Sequence, residues 1–136
     1  MASRGLRASA NGPALDENGV SEAWADLGAS FGGSASSDRM GFSLRSLTYL
    51  DLLGKVVELA ARQLGEPAFP ADSWAREREQ LIASIKESET RPATIAAKAF
   101  ASAVYGDHPY GNQTTETSLS NISVTDMRAV FDRMAL

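Results

Sequence analysis

Apolar residues alternate with small or polar residues in one stretch of the chain and recur at helical spacing in five others. In the alternating stretch, Met40, Phe42 and Leu44 are each separated by one small or charged residue. A period of two is typical of a half-buried β-strand. A small, polar stretch precedes it across a short turn, so the sequence predicts an antiparallel hairpin of about 30–37 and 40–48.

The five stretches with helical spacing end at residues that stop helices. Gly28, Gly65 and the break before Pro92 lie just beyond three of them. Ser123, with Asp126 three residues later, resembles the capping box that begins a helix. The predicted helices are 15–27, 49–64, 72–88, 92–105 and a last one from residue 123, with Trp24 and Trp74 on their apolar faces.

This order of elements predicts an α+β fold, in which helices pack on one face of a small antiparallel sheet. Two strands are too few for a stable independent sheet. The sheet is therefore incomplete, or another chain pairs with its edge. Residues 1–13 are small and polar, which predicts a flexible leader, and residues 14–136 form the predicted domain.

Composition excludes several classes of function. The chain has 136 residues, a net charge of -4 and scattered basic residues, which argues against nucleic-acid binding. It has no cysteine, which excludes disulfides and thiolate metal sites.

No apolar run approaches the roughly 20 residues of a membrane span, and residues 1–13 lack the apolar core of a signal peptide. The compartment stays open between cytosol and periplasm.

Few residues of the chain are candidates for catalysis or metal binding. His108 is the only histidine, and it lies in a stretch broken by proline and glycine. A metal site would need it to join carboxylates such as Glu77 and Glu79, which would give a metal-dependent hydrolase. The plainer interpretation is a loop histidine beside a solvated helix face, because these carboxylates alternate with basic residues.

The chain contains several short motifs, of which the most specific is Tyr-Gly-Asp-His-Pro-Tyr-Gly at 105–111. Together these motifs resemble the pitrilysin/insulinase family of zinc metallopeptidases, which includes the mitochondrial processing peptidase and bacterial paired-subunit proteases. The resemblance covers about residues 14–135. The other phrases stand in family order at 25–31, 36–38, 42–44, 67–70, 76–79, 87–92, 115–119 and 125–127.

The chain departs from this family where catalysis occurs. Active members carry an inverted zinc motif, His-x-x-Glu-His, whose glutamate is the general base, and no such motif is present. By resemblance, Ala75 stands where the third zinc ligand is a glutamate. Gly32 and Gly33 stand where an Asn-Ala pair holds the substrate backbone.

The resemblance thus implies an incomplete, non-catalytic half-domain that is not an enzyme and carries no cofactor. It would pair with an active zinc subunit and help to enclose peptide substrates. Two alternatives stay open. One is the metal-dependent hydrolase with His108. The other is a helical interaction module that self-associates through its sheet edge, or a gene remnant.

Overall fold

The computed structural model describes residues 4–135 and has the predicted α+β fold. Within these residues the chain forms a two-stranded antiparallel hairpin and six α-helices, and a 3-10 turn lies at Pro109–Gly111. Predictions for residues 1–3 and for Leu136 lie outside the described residues. The elements are α1 (Glu17–Asp26), β1 (Ser30–Ala35), β2 (Met40–Arg45), α2 (Leu50–Gly65), α3 (Ala71–Ser88), α4 (Pro92–Tyr105), α5 (Glu116–Ser120) and α6 (Val124–Ala135).

The hairpin has the predicted strands, but each ends two or three residues earlier than predicted, at Ala35 and at Arg45. Its register pairs Phe31 with Leu44 and Gly33 with Phe42. Because side chains alternate along a strand, these four residues share one face of the sheet. That face packs against α1 and α6, whereas the opposite face carries small and polar residues. The helices therefore lie on one side of the hairpin, as the sequence predicts.

Local signals explain where the helices begin and end. The Asp16 carboxylate accepts a hydrogen bond from the Gly19 amide at 2.7 Å and caps α1. Gly28 follows α1 with a φ of 59°, a conformation that favours glycine. Helix α5 and the 3-10 turn were not predicted as helices, since both are short. No helix among residues 4–135 has the length and apolarity to cross a membrane.

The core lies where α1, α2 and the segment before α1 meet. Leu6, Val20 and Val56 are among its most deeply buried residues. Trp24 is also buried, and its indole N–H donates to the Gln63 side-chain oxygen at 2.7 Å. Burying this polar pair is tolerated because each group satisfies the other. A glutamine thus occupies a core position on α2 that the apolar pattern does not predict.

The segment before α1 differs from the flexible leader expected from composition. Its described part, residues 4–13, lies against α1 and the end of α2. Leu6 is only 1% exposed and exchanges two backbone hydrogen bonds with Leu15. The Arg62 guanidinium donates to the carbonyls of Arg7 and Pro13. One buried leucine and these hydrogen bonds hold a segment whose remaining residues are small and polar.

Candidate functional site

An apolar groove of about 480 Å³ lies between the hairpin and α6. Phe31, Gly33 and Phe42 form its hairpin wall, and Val130 and Phe131 contribute to its α6 wall. Apolar pockets of this size are the usual place where a protein binds a ligand or a peptide side chain. Among residues 4–135, Asp126 is the one ionisable residue that lines the groove; the other lining residues are Ser34, Ala35, Met40, Phe69, Ile122 and Met127.

A chain of aromatic rings forms the base of this groove. Phe31 and Phe42 stack with their ring centroids 5.9 Å apart, and the Phe42 centroid lies 6.1 Å from that of Phe131 in an edge-on arrangement. Phe131 in turn meets Phe69 edge-on at 5.5 Å. Aromatic pairs at these separations add to the stability that their burial provides. The groove therefore has one well-packed wall although its mouth is open to solvent.

The start of α6, which borders the groove, is fixed by the predicted capping box. The Asp126 carboxylate accepts hydrogen bonds from the Ser123 hydroxyl at 2.6 Å and from the Ser123 amide at 2.9 Å. Both hydrogen bonds favour the charged form, so they lower the pKa of Asp126. A negative charge in the first turn also interacts favourably with the helix dipole.

Gly32 and Gly33, which by the sequence resemblance stand where the family has an Asn-Ala pair, lie on opposite faces of β1. A Cβ atom at Gly33 would lie 3.6 Å from the Phe42 ring, an ordinary contact, and Gly33 lines the groove. A Cβ atom at Gly32 would lie 3.2 Å from the Ser43 hydroxyl, which is a small, rotatable neighbour. Neither glycine has a positive φ. The backbone therefore does not require glycine at these two positions.

Ala75, which by the sequence resemblance stands where the family has its third zinc ligand, lies half-buried in the first turns of α3. Its neighbour Trp74 is buried and donates from its indole nitrogen to the Ile122 carbonyl at 3.1 Å. Trp74 thus packs in the interior, as predicted. A methyl group at residue 75 has no atom that can coordinate a metal.

Glu77 belongs to a cluster of charges that joins three parts of the chain. Arg4 forms an ion pair with Glu17 of α1, and its Nε lies 3.8 Å from the Glu77 Oε2 atom. Arg76 lies 3.6 Å from Glu17 as well. The Glu77 Oε2 atom is buried and receives no hydrogen bond from the described residues. The positive charge next to Glu77 is therefore a guanidinium from the segment before α1.

His108 lies in the exposed loop after α4, between two tyrosines. Its Nδ1 accepts a hydrogen bond from the Tyr110 amide at 3.2 Å and caps the 3-10 turn. The Tyr110 hydroxyl donates to the Asp38 carboxylate at 2.8 Å, which raises the pKa of Tyr110. The loop histidine thus has a local structural role, and the loop is joined to the turn of the hairpin.

The residues present do not fit a zinc site. Glu77 is paired with Arg4, Glu79 is exposed on α3, and His108 lies among aromatic rings. Within residues 4–135, no three His, Cys, Asp or Glu side chains are close enough together to hold a metal ion. The structure therefore does not bring together the three residues of the hydrolase alternative.

Three features of the site were missed by sequence reasoning. The groove itself is formed by residues that are distant in the chain, such as Phe42 and Phe131. Phe69 is buried with a φ of 50°, which is unusual for a non-glycine residue, and the Arg128 guanidinium lies 5.8 Å from its ring centre. Arg4 lies in the predicted leader. Only the aromatic content of the hairpin signalled the groove.

Comparisons with known proteins relate the chain to solved structures. No family model matches the chain, and no curated protein matches it. Among solved structures, the chain is similar to a peptidase M16 inactive domain from Pseudomonas fluorescens, with a TM-score of 0.86 and 30% sequence identity. The match covers 95% of this chain and 30% of the other chain, so this chain spans less than a third of that relative's length.

This likeness agrees with the resemblance found in the sequence. It covers nearly all of the chain at an identity that goes beyond a shared fold alone. The matched protein is itself described as an inactive domain, which agrees with the prediction that this chain is not an enzyme. The predicted resemblance is confirmed: the chain is similar to part of a peptidase M16 inactive domain, which supports a pitrilysin-like domain of the inactive kind.

Proposed function

We propose that the chain serves as the non-catalytic partner of a zinc-bearing pitrilysin-type subunit and helps to enclose peptide substrates. The likeness to an inactive domain carries this proposal. The sequence resemblance adds that Gly32, Gly33 and Ala75 stand where active members of the family carry functional residues. A domain with this fold but without the zinc chemistry acts by binding other molecules at its surface.

The exposed area of the chain supports a function that depends on a partner. Size scaling gives an accessible surface of about 6,840 Å² for a compact monomer of this mass. The chain of 14.4 kDa exposes 9184 Å², an excess of about 2,300 Å² over that scaling. A standard protein interface buries about 800 Å² on each side. The excess is therefore large enough for more than one such contact.

The groove beside the hairpin supports the part of the proposal that concerns peptides. It is open and apolar, and the hairpin next to it has a strand edge on each side among the described residues. Extended peptides bind such places by hydrogen bonding to the strand edge while their apolar side chains enter adjoining pockets. We propose that apolar side chains of the enclosed peptide contact this groove.

Mixing the purified chain with a zinc-bearing pitrilysin-type subunit tests the pairing. Association is measured by analytical ultracentrifugation, and the peptidase rate is measured at increasing amounts of the chain. The proposal expects a stable complex and a higher kcat/KM for peptides. If neither association nor any change in rate occurs, the proposed pairing is wrong.

Two variants separate peptide contact from pairing. Val130 in the groove and Leu81 on α3 are both 41% exposed, so glutamate at either position leaves the core unchanged. Val130→Glu should raise the KM for apolar peptides within an intact complex, because it places a charge in the groove. Leu81→Glu is the matched control and should leave KM unchanged. Equal effects of the two variants would argue against peptide contact in the groove.

Metal analysis tests the hydrolase alternative. Protein purified without chelators should contain no stoichiometric zinc, because Glu77, Glu79 and His108 do not converge. Stoichiometric zinc that disappears in His108→Ala would establish a metal site and contradict the proposed non-catalytic role.

A further inference from the structure

Phe69 holds an unusual backbone conformation in the loop between α2 and α3. Its φ is 50°, and among residues 4–135 it is the one non-glycine residue with a positive φ. A side chain in this left-handed region costs free energy that glycine avoids. Pro70 follows, and a proline also restricts the backbone of the residue before it. Such strain persists only where surrounding contacts hold it, and it is concentrated at binding sites and switch regions.

The ring of Phe69 forms part of the wall of the apolar groove. It is 5% exposed, and it meets Phe131 edge-on with the ring centroids 5.5 Å apart. Met127 lines the same groove. Aromatic and methionine side chains bind a further aromatic ring through edge-on and sulfur contacts. Phe69 therefore makes, within the chain, the kind of contact that an aromatic side chain of a bound peptide would make.

Arg128 of α6 holds the strained residue in place. Its guanidinium donates to the Ala68 carbonyl at 3.1 Å, and its Cζ atom lies 5.8 Å from the centre of the Phe69 ring. The first contact fixes the plane of the peptide bond between Ala68 and Phe69, and the orientation of that plane sets the φ of Phe69. The second is a cation–π interaction with the ring. Arg128 is exposed, so both contacts can be removed without opening the core.

We propose that the Phe69 ring is a displaceable wall of the groove and that an aromatic side chain of a bound peptide takes its place. In the closed state, Arg128 keeps the ring beside Phe131. In the open state, Phe69 adopts a negative φ, its ring moves out, and the peptide ring contacts Phe131 instead. The strain released at Phe69 offsets part of the cost of exposing its ring. The displacement rests on the proposed contact between a peptide and the groove, and it adds that the peptide side chain is aromatic.

Arg128 is a positioning residue, because it acts on binding without touching the peptide. A ligand that binds only the open state loses apparent affinity in proportion to the fraction of chains that are closed. Weakening the contacts of Arg128 raises the open fraction and so tightens binding of that ligand. A small ligand that fits beside Phe69 binds both states equally and is unaffected. The effect of Arg128 therefore depends on ligand size, which a purely structural arginine would not produce.

Two uncharged probes test the displacement on this chain alone, namely N-acetylphenylalanine amide and N-acetylalanine amide. Binding is followed through the NMR signals of the methyl groups of Met40 and Met127, which both line the groove. Arg128→Met removes the hydrogen bond and the cation–π contact, and it should tighten binding of the aromatic probe by about fivefold. Binding of the alanine probe should stay unchanged.

Three further variants control for charge and for the ring. Arg133→Met is the matched control, since Arg133 is another exposed arginine of α6 and its loss changes the net charge equally; both affinities should keep their wild-type values. Arg128→Lys keeps a charged donor, so its affinity for the aromatic probe should lie closer to wild type than that of Arg128→Met. Glycine at residue 69 tolerates the positive φ and lacks the ring, so Arg128→Met should add nothing in a Phe69→Gly background.

Three results would overturn the inference. Equal affinity of wild type and Arg128→Met for the aromatic probe would mean that Arg128 only stabilises the fold. An equal gain for both probes would mean that ligand size does not matter. The third is an aromatic probe that binds neither the wild type nor Arg128→Met. Each of these results would leave pairing with a zinc-bearing subunit to its own test, and failure of that pairing would leave the binding of the probes unaffected.

Discussion

Replacing Leu6 with alanine tests whether the segment before α1 belongs to the domain. Leu6 is 1% exposed and packs in one cluster with Val20 and Val56, which are 3% and 0% exposed. In a flexible leader Leu6 would make no such contact, so Leu6→Ala would leave the free energy of unfolding unchanged. The substitution therefore separates the packed segment seen in the structure from the leader that composition suggests.

The expected cost follows from burial and from how far the site can relax. A buried leucine replaced by alanine destabilises a protein by about 2–5 kcal/mol, through lost transfer energy and the cavity that remains. Val20 and Val56 are held on α1 and α2, so the far wall of the cavity cannot follow. The segment of residues 4–13 is itself held mainly by hydrogen bonds and can shift inward. We expect about 2–3 kcal/mol, in the lower half of that range.

Urea unfolding followed by tryptophan fluorescence measures this cost, because Trp24 belongs to the same cluster. With a urea dependence of about 1–3 kcal/mol per molar, the midpoint should fall by about 0.7–3 M. Leu50→Ala is the control, since Leu50 is 92% exposed and its substitution should stay within about 0.5 kcal/mol. Equal midpoints for Leu6→Ala and Leu50→Ala would refute the packed segment.

Three further predictions concern the core and the groove. Gln63→Leu leaves the buried Trp24 indole N–H without its acceptor and should cost about 1–3 kcal/mol in urea unfolding; a Trp24→Phe background that fails to reduce this cost would contradict the explanation. Phe131→Ala removes the ring that joins two others and should cost about 3–5 kcal/mol, whereas a loss below 1 kcal/mol in thermal unfolding would argue against it. The hydrogen bonds from Ser123 lower the pKa of Asp126 below its ordinary value of 3.8. Their contribution to stability is complete above pH 3.8 and is lost as the pH falls through the lower pKa of the folded state. Wild type should therefore be more stable than Asp126→Ala near neutral pH and lose that advantage in acid; a difference that does not change with pH would contradict the cap.

The elements of the fold were largely predictable because their signals are local. The alternation of Met40, Phe42 and Leu44 identifies a strand from adjacent positions alone. Ser123 and Asp126 indicate the start of α6 in the same way, and the hydrogen bonds between them confirm it. Helix α5 was missed because five residues are too few to show a helical period.

The burial of individual side chains was less predictable, since it depends on which other elements each face of a helix contacts. Val57 lies on the apolar stripe of α2 and yet is 53% exposed, whereas Gln63 is buried because Trp24 offers it a donor. Helix α4 shows the same limit. Its apolar residues predict a helix correctly, but they do not indicate that its apolar side faces solvent.

The candidate site depends on residues that are far apart in the chain. The family resemblance correctly identified an inactive domain, because short phrases keep their order and spacing. It did not reveal that Arg4 lies beside Glu77, since the partner comes from a segment with no pattern of its own. The groove was missed for the same reason, because Phe42 and Phe131 meet only in the folded chain.

The hydrogen bond from Tyr110 to Asp38 has a mechanical consequence. It joins residues 72 positions apart and fastens the loop after α4 to the tip of the hairpin. Movement of this loop is therefore transmitted through the hydrogen bond to the turn between β1 and β2. Tyr110→Phe removes the bond while keeping the ring. Backbone amides of the turn should then exchange with solvent faster than in the wild-type chain.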